Sequence, residues 1–398
     1  MTVPARPTHA ETMRGLNLAL VLEQIARHQP VTRARLSDLT GLTKTTVANL
    51  VSSLETLRLV ASAGPVREGG RGRPGAPLSL APGPVAGLGL EVNGHYLAAC
   101  VLDLTGAVRQ REHVRVDNRG RDAQVTVDAL AALARRVTAR AGDDGLTVAG
   151  TAVALPGVFV EGRVNAPNLG WEAVPAAAML TEALPAQAHG VEVDNEANLA
   201  ALGELWYGAG RGAGSYLYLS GETGIGAGIV VGGELFRGAH GAAGELGHVV
   251  VDPGGAACPC GGVGCLEQVA GLDAVLRAGG IDDGEESSES RLTELVRRLD
   301  EGDGNAHRAI NAAGRGLAIA LVGAVNLLDP DTVVLGGLHA RLGPWLIPPI
   351  EAAVTRGGGR LRARVPALLP SALAEESAVR GAAGTILSRV LADPLSIG

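Results

Sequence analysis

Residues 214–238 read GSYLYLSGETGIGAGIVVGGELFRG. An apolar strand-like run breaks at a glycine-rich turn, resumes as a second strand, and breaks again at Gly232-Gly233, a pair suited to a tight hairpin. The chain has already used this pattern once. Residues 85–116, VAGLGLEVNGHYLAACVLDLTGAVRQREHVRV, predict three strands joined at Asn93-Gly94 and Thr105-Gly106. A helix follows over about Asp122–Ala141, then a strand in LTVAGTAVAL. A strand hairpin that opens two halves of one chain predicts an α/β body of two related lobes with a cleft between them.

The 398 residues allow two or three compact units. Aromatic residues make up only 2%, so the core must be built from Val, Leu, Ile and Ala. No run reads as a membrane span and the N-terminus lacks the apolar centre of a secretion signal, so a cytoplasmic protein is expected. The net charge of −7 is unevenly spread. Residues 1–80 hold ten basic and five acidic side chains, a net of +5, which leaves −12 for the remainder. A small basic head on a large acidic body predicts that the head alone meets a polyanion.

Residues 15–60 of the head predict three helices. Leu18, Val21, Leu22 and Ile25 share one face of the first, which ends at Gln29-Pro30. A short helix over Arg33–Thr40 follows, then a turn at Gly41 and an N-cap at Thr43. In the third helix Val47, Leu50, Val51, Leu54 and Leu57 form the buried stripe. That leaves Lys44, the chain's only lysine, with Thr45, Thr46 and Asn49 on the other face. This is the layout of a helix-turn-helix, whose second helix enters the major groove of double-stranded DNA. Lys44 and the threonine hydroxyls suit phosphates, Thr45, Thr46 and Asn49 are placed to reach base edges, and Arg33 is a further DNA-contact candidate. Leu59-Val60 and Leu78–Leu80 predict a wing whose tip, GGRGRPG, carries Arg71 and Arg73. The expected division is a helix-turn-helix over 1–62, wing and linker over 63–83, and a ligand-binding body over 84–398.

Three of the four cysteines, Cys258, Cys260 and Cys265, fall within eight positions, ten residues after His248. In a reducing compartment such a cluster is better read as metal ligands than as a Cys258–Cys260 disulfide or free thiols. Four soft or borderline ligands match a closed tetrahedral zinc site, structural because no position is open to water. Cys100 lies alone in a strand-like run and reads as a small buried hydrophobe.

The stretches APNLGW, DNEANLAALGE, GETGIGAGIVVGGELFRGAHGAAGELGHVVVD, CPCGGVGCLE and NLLDPDTVVLGG resemble the ROK family of repressors, open reading frames and sugar kinases. The winged helix-turn-helix in front makes the chain similar to the family's transcriptional regulators. The resemblance implies an actin-like (ribonuclease H-like), two-lobed sugar-kinase fold, assembled as homodimers or homotetramers. It also implies zinc on His248, Cys258, Cys260 and Cys265, and sugar contacts from Asn168, Asn195, Glu196, Glu245, His248 and Glu267. Carboxylates and amides suit sugar hydroxyls because each can take paired hydrogen bonds.

The same resemblance implies that the kinase machinery is degraded. The family's base is the aspartate of N-D-A-N, where this chain has Glu196. One extra methylene displaces the base by about an ångström, which can cost ~100-fold. The family's first phosphate turn, D-x-G-G-T, is here EVNGHY, with Glu91, Asn93 and His95 in place of the acid, a glycine and the threonine. Glu222 adds a negative charge to the second turn. The expectation is a regulator, in the repressor sense, that binds operator DNA and a sugar or sugar derivative without phosphorylating it. The competing reading is an active ATP-dependent sugar kinase with a DNA-binding head.

Overall fold

The computed structural model describes residues 10–62, 76–184, 189–221, 224–281, 287–358 and 364–397. In the head, α1 (Ala10–His28), α2 (Arg33–Thr40) and α3 (Lys44–Thr56) precede the short strands β1 (Val60–Ser62) and β2 (Leu78–Leu80). Thr32 caps α2, and Gly41 ends it at φ 71°, a left-handed value that glycine takes without strain. Thr43 caps α3 by accepting from the amide of Thr46. Leu18, Val21, Leu22, Ile25, Val47, Leu50, Val51 and Leu54 are buried in the core of the head, whereas Leu57, expected in the same stripe, follows α3 as its C-cap and is only half-buried. Antiparallel β1 and β2 are extended by a bridge from Val31 to Leu78, which gives the wing its base. The wing tip with Arg71 and Arg73 lies outside the described residues.

The first lobe begins with the meander β3 (Val85–Val92), β4 (Tyr96–Asp103) and β5 (Val108–Arg115). The helix α4 (Ala123–Asp143) leads to β6 (Thr147–Leu155), which lies parallel to β3. A small antiparallel sheet follows, of β7 (Val158–Val160), β8 (Arg163–Ala166) and β9 (Trp171–Val174). Then α5 (Ala176–Ala183) and the parallel edge strand β10 (Val191–Asn195) complete the order β10-β6-β3-β4-β5. The helix α6 (Glu196–Tyr207) carries the chain into the second lobe.

There the meander β11 (Tyr216–Gly221), β12 (Ile225–Val231) and β13 (Glu234–Leu235) comes first. The helices α7 (Glu267–Ala270), α8 (Leu272–Ala278), α9 (Ser288–Asp300) and α10 (Gly304–Leu328) precede the parallel strand β14 (Thr332–Leu335). After α11 (Gly337–Arg341) and α12 (Gly343–Gly358) the chain adds β15 (Ala367–Pro370) and ends in α13 (Ser377–Ala392). The second sheet runs β13-β12-β11-β14-β15, the same path as the first: a meander extended on its first strand by two parallel strands. The duplication expected from the two hairpins is therefore a duplication of topology, in a two-lobed α/β body.

The helices α6 and α13 pack together and against both sheets. A Cβ on Gly381 of α13 would overlap the Leu199 carbonyl of α6, so close approach requires glycine there. A buried carboxylate knots the same joint. Glu204 accepts from the amides of Ala209 at 2.6 Å, Leu373 at 3.1 Å and Ala372 at 3.3 Å, from the Ser377 hydroxyl at 2.9 Å, and from Ser371.

One expectation needs correction. α10 is, by length and composition, apolar enough to cross a membrane, with a mean hydropathy of 1.4 over its best window. The sequence pattern hid this because Arg308 and Arg315 interrupt the run. In the fold α10 is a core helix, with Ala313, Leu317, Leu321 and Val325 buried in the second lobe and α12 packed beside it.

Candidate sugar, metal and DNA sites

The recognition face of α3 is only partly as expected. Lys44, Thr45 and Asn49 are exposed near its N-terminus. Thr46 is half-buried, and its hydroxyl lies 2.9 Å from that of the capping Thr43. Arg33 reaches Glu55 at 3.0 Å and Ser62 at 3.5 Å within the head. Arg35, on the same helix and exposed, was not singled out from the sequence.

His248, Cys258, Cys260 and Cys265 come together with all four donor atoms within 4.8 Å of one another, a group that could hold a metal ion. Cys260 Sγ lies 3.7 Å from Cys265 Sγ, and Cys258 Sγ lies 3.8 Å from His248 Nδ1. Bridges between Val250 and Cys265 and between Ala257 and Val263 fold the loop onto itself. The other nitrogen of the histidine, Nε2, faces Glu245 Oε2 at 3.8 Å. One ring thus spans from the thiol cluster to a candidate sugar carboxylate. Gln268 Nε2, missed in the sequence, stands 3.7 Å from Cys258 Sγ.

The six sugar candidates divide into three settings. Glu267 opens α7, and its Oε2 accepts from the amide of Ile225 at 3.0 Å. A Cβ on Gly224 would lie 2.5 Å from that oxygen and 2.8 Å from Asn168 Nδ2, so Asn168 and Glu267 meet over Gly224. Glu245 and His248 adjoin them, and burial, opposed by His248 and aided by Glu267, raises the Glu245 carboxyl above its usual range.

Asn195 is engaged differently. It caps α6, accepting from Ala197 at 2.8 Å and Asn198 at 3.3 Å and donating to Gly157 O at 2.9 Å. Asn195 and Glu245 line a cavity of about 400 Å³, whereas Asn168, His248 and Glu267 do not. Arg237, tied to Asp194 at 2.6 Å, also lines it; a lone arginine in a glycine-rich loop gave no sequence signal.

Glu196 faces a third setting, with Glu91, Tyr96 and Tyr218, where the free space is only about 10 Å³. Tyr96 donates to Glu91 Oε1 at 2.7 Å, and the other oxygen is buried without a partner among the described residues. Burial, reinforced by the charges of Glu196 and Glu375, pushes Glu91 up to about 8. Burial alone pushes Glu196 up to about 7. In the first phosphate turn, Asn93 Oδ1 accepts from the amide of His95 at 3.0 Å, and His95 Nε2 lies 3.1 Å from Ser288 Oγ. Glu222 of the second turn lies outside the described residues.

Residues 87–388 match the ROK family and residues 16–64 match the IclR helix-turn-helix domain. The chain is 27% identical to the xylose repressor of Bacillus spizizenii over 95% of this chain and 97% of that one. It is similar to the crystal structure of a ROK family transcriptional regulator, a homologue of the E. coli Mlc protein, with a TM-score of 0.78 and 25% identity. That likeness covers 97% of this chain and 98% of the other. The ROK hexokinase of Thermus thermophilus is 32% identical with a TM-score of 0.62, and covers 78% of this chain against 99% of its own. The two regulators match head and body together, while the hexokinase falls short by about the length of the head. The chain belongs to the ROK family and carries a helix-turn-helix of the IclR type in front of the family's two-lobed body.

Proposed function

We propose that the protein is a sugar-responsive repressor whose kinase-like body binds its effector without phosphorylating it. The carrying observation is the contrast between the two sides of the cleft. A cavity of about 400 Å³ lies beside Asn195 and Glu245, whereas the phosphate side offers about 10 Å³, room for about one water. There the side chains of Glu91, Glu196, Tyr96 and Tyr218 fill the space a triphosphate would need, and His95 is engaged with Ser288. Asn195 and Glu245 on the cavity, with His248 and Glu267 beside Glu245 and Asn168 beside Glu267, are left to receive a sugar ring.

His248 and the three cysteines fit zinc by donor chemistry. Sulfurs bonded to one tetrahedral zinc at ~2.3 Å stand about 3.8 Å apart, and Cys260 and Cys265 are 3.7 Å apart. Zinc bound there would fix the loop between His248 and Glu267. A cytoplasmic homodimer or homotetramer would set two α3 helices on a palindromic operator. The effector relieves repression if it binds better to the arrangement that cannot span the two half-sites.

The relatives named for xylose make D-xylose the first sugar to test. Operator footprints with and without D-xylose and D-glucose test the regulator, and ADP release from Mg-ATP with the same sugars tests the kinase. Sugar-dependent loss of the footprint with no ADP release is expected. Turnover at ordinary kinase rates of ~1–100 per second would replace this reading with that of an active enzyme.

A further inference from the structure

Glu192, Asp194 and Glu245 line the cavity of about 400 Å³, and Arg237 is its only cation among the described residues. Arg237 comes from the loop after β13 in the second lobe, and Asp194 from the edge strand β10 in the first. They meet across the cleft at 2.6 Å, between Arg237 Nη2 and Asp194 Oδ2. Their side chains remain 49% and 21% exposed, so a ligand can reach both. Glu192 is held by Arg389 at 2.5 Å. Whatever charge Glu245 carries, the lining has no cation left over.

Asp194 is braced to keep that pairing. Its Oδ1 accepts from the amide of Asn195 at 2.7 Å and from Asn198 Nδ2 at 3.2 Å, which turns Oδ2 towards Arg237. The other natural seat for an anion is closed as well. A helix N-terminus ordinarily offers free amides to a phosphate, but at α6 those of Ala197 and Asn198 already donate to Asn195 Oδ1, at 2.8 and 3.3 Å. A phosphate ester carries a charge of about −1.5 to −2 at neutral pH. In this cavity it would lose water, face the acids and find the one arginine already paired. An uncharged sugar meets no such penalty, because its hydroxyls can donate to the carboxylates and accept from the remaining N–H groups of Arg237.

We infer that Asp194 sets the charge of the effector: by neutralising Arg237 from across the cleft, it admits an uncharged sugar and rejects the phosphate ester of that sugar. The inference rests on the sugar-binding reading of this cavity and names its ligand class. Specificity of this kind comes from what the site withholds from the wrong ligand. The acid, rather than the arginine, is then the residue whose change alters the preference.

Calorimetric titration of the full chain with D-xylose, D-glucose, the 1-phosphate of each and D-glucose 6-phosphate tests it. At least one free sugar should bind at least about tenfold tighter than its esters, as the loss of a charge-assisted pair would give. Asp194→Asn keeps an acceptor for Asn195 and Asn198 but turns an amide group towards Arg237, which frees the guanidinium. The affinity of at least one ester relative to its free sugar should then rise at least about tenfold. Adding Arg237→Gln should abolish that rise, and Asp194→Ser replaces Asp194→Asn in both measurements should the latter prove poorly folded. An ester that binds the native chain as tightly as its free sugar would overturn the inference while leaving the sugar reading in place. So would a ratio that neither Asp194 variant raises, or a rise that survives Arg237→Gln. No binding of any of these compounds would remove the sugar reading for these classes, and the inference with it.

Discussion

His95 Nε2 lies 3.1 Å from Ser288 Oγ, joining the β3–β4 turn of one lobe to the first residue of α9 on the other. The two residues are 193 positions apart, and Arg291 also reaches the Ser288 hydroxyl at 3.4 Å. A ring that clasps the lobes cannot also receive a phosphate.

That clasp makes stability depend on pH. Burial lowers the pKa of His95, so the folded state resists protonation more than the unfolded chain does. Its contribution is present above the unfolded value of about 6.5 and is lost as pH falls through the lower folded value. His95→Gln keeps a side chain able to meet Ser288 and removes the titration. Its melting midpoint should therefore fall less than the native one between pH 7 and pH 5. Parallel profiles would exclude His95 as the source.

Glu91 and Glu196 titrate in the opposite sense. Both carboxyls are raised, to about 8 and about 7, so their stabilising contribution is full at acid pH and declines as pH rises through those values. Glu91→Gln can still accept from Tyr96 but carries no charge. It should raise the melting midpoint at pH 8, by about 1 °C for each kcal/mol recovered, and change little at pH 5. An equal effect at both pH values would mean that ionisation is not the cause.

Much of this was legible in the sequence, but only where one short stretch carries the whole signal. The helices of the head follow from apolar spacing and from Thr43 and Gly41, whose effects are local. The thiol cluster and His248 lie within eighteen residues, so their convergence needed little of the fold. Glu204 looked like one more polar residue in a helix, yet it anchors the segment before α13 through partners near position 371. Asn195 could be placed at the sugar site by motif, but its duty as the cap of α6 depends on where β10 ends. Arg237 and Asp194 are 43 positions apart and meet only once the loop after β13 folds back. Long-range polar pairing leaves no periodic trace to read.

Removing the metal should act on the body alone. If zinc holds His248 and the three cysteines, metal analysis should find one ion per chain, and a chelator should lower the melting midpoint. At metal one hundred times its dissociation constant the linkage is worth about 2.7 kcal/mol. Cys265→Ser, at a position 1% exposed, should lose both the ion and the stabilisation, whereas Cys100→Ser should retain the ion. A native chain with no stoichiometric metal would refute the assignment.

On α3, Asn49 is the exposed amide suited to a base edge, while Thr46 shares its hydroxyl with the cap. Asn49→Ala should cost about 1–3 kcal/mol of operator binding and relax specificity at one base pair. Lys44→Gln should weaken binding evenly across sequences and reduce the salt slope by about one. Thr46→Ala should act mainly on helix stability. If Lys44→Gln changes base preference instead, the roles of the two positions are reversed.

The last prediction concerns how the body speaks to the head. The buried cluster of the head, from Leu18 to Leu80, is continuous with Ala382, Ile386 and Val390 of α13. Where α1 meets the end of the chain, a Cβ on Gly15 would stand 3.9 Å from Leu395. The same helix α13 carries Thr385 on the large cavity and Arg389 on Glu192. A shift of α13 on ligand binding would therefore reach α1 directly, through packed side chains with no intervening loop. Leu395 is 49% exposed, so Leu395→Asp should be tolerated in the fold while weakening the seat of α1. The variant should bind operator and sugar with near-native affinity, yet release DNA poorly when sugar is added. Coupling between two sites is reciprocal, so sugar affinity should also cease to depend on operator. A Leu395→Asp protein that still releases its operator normally would place the coupling elsewhere, in the strand connection between Leu80 and Val85.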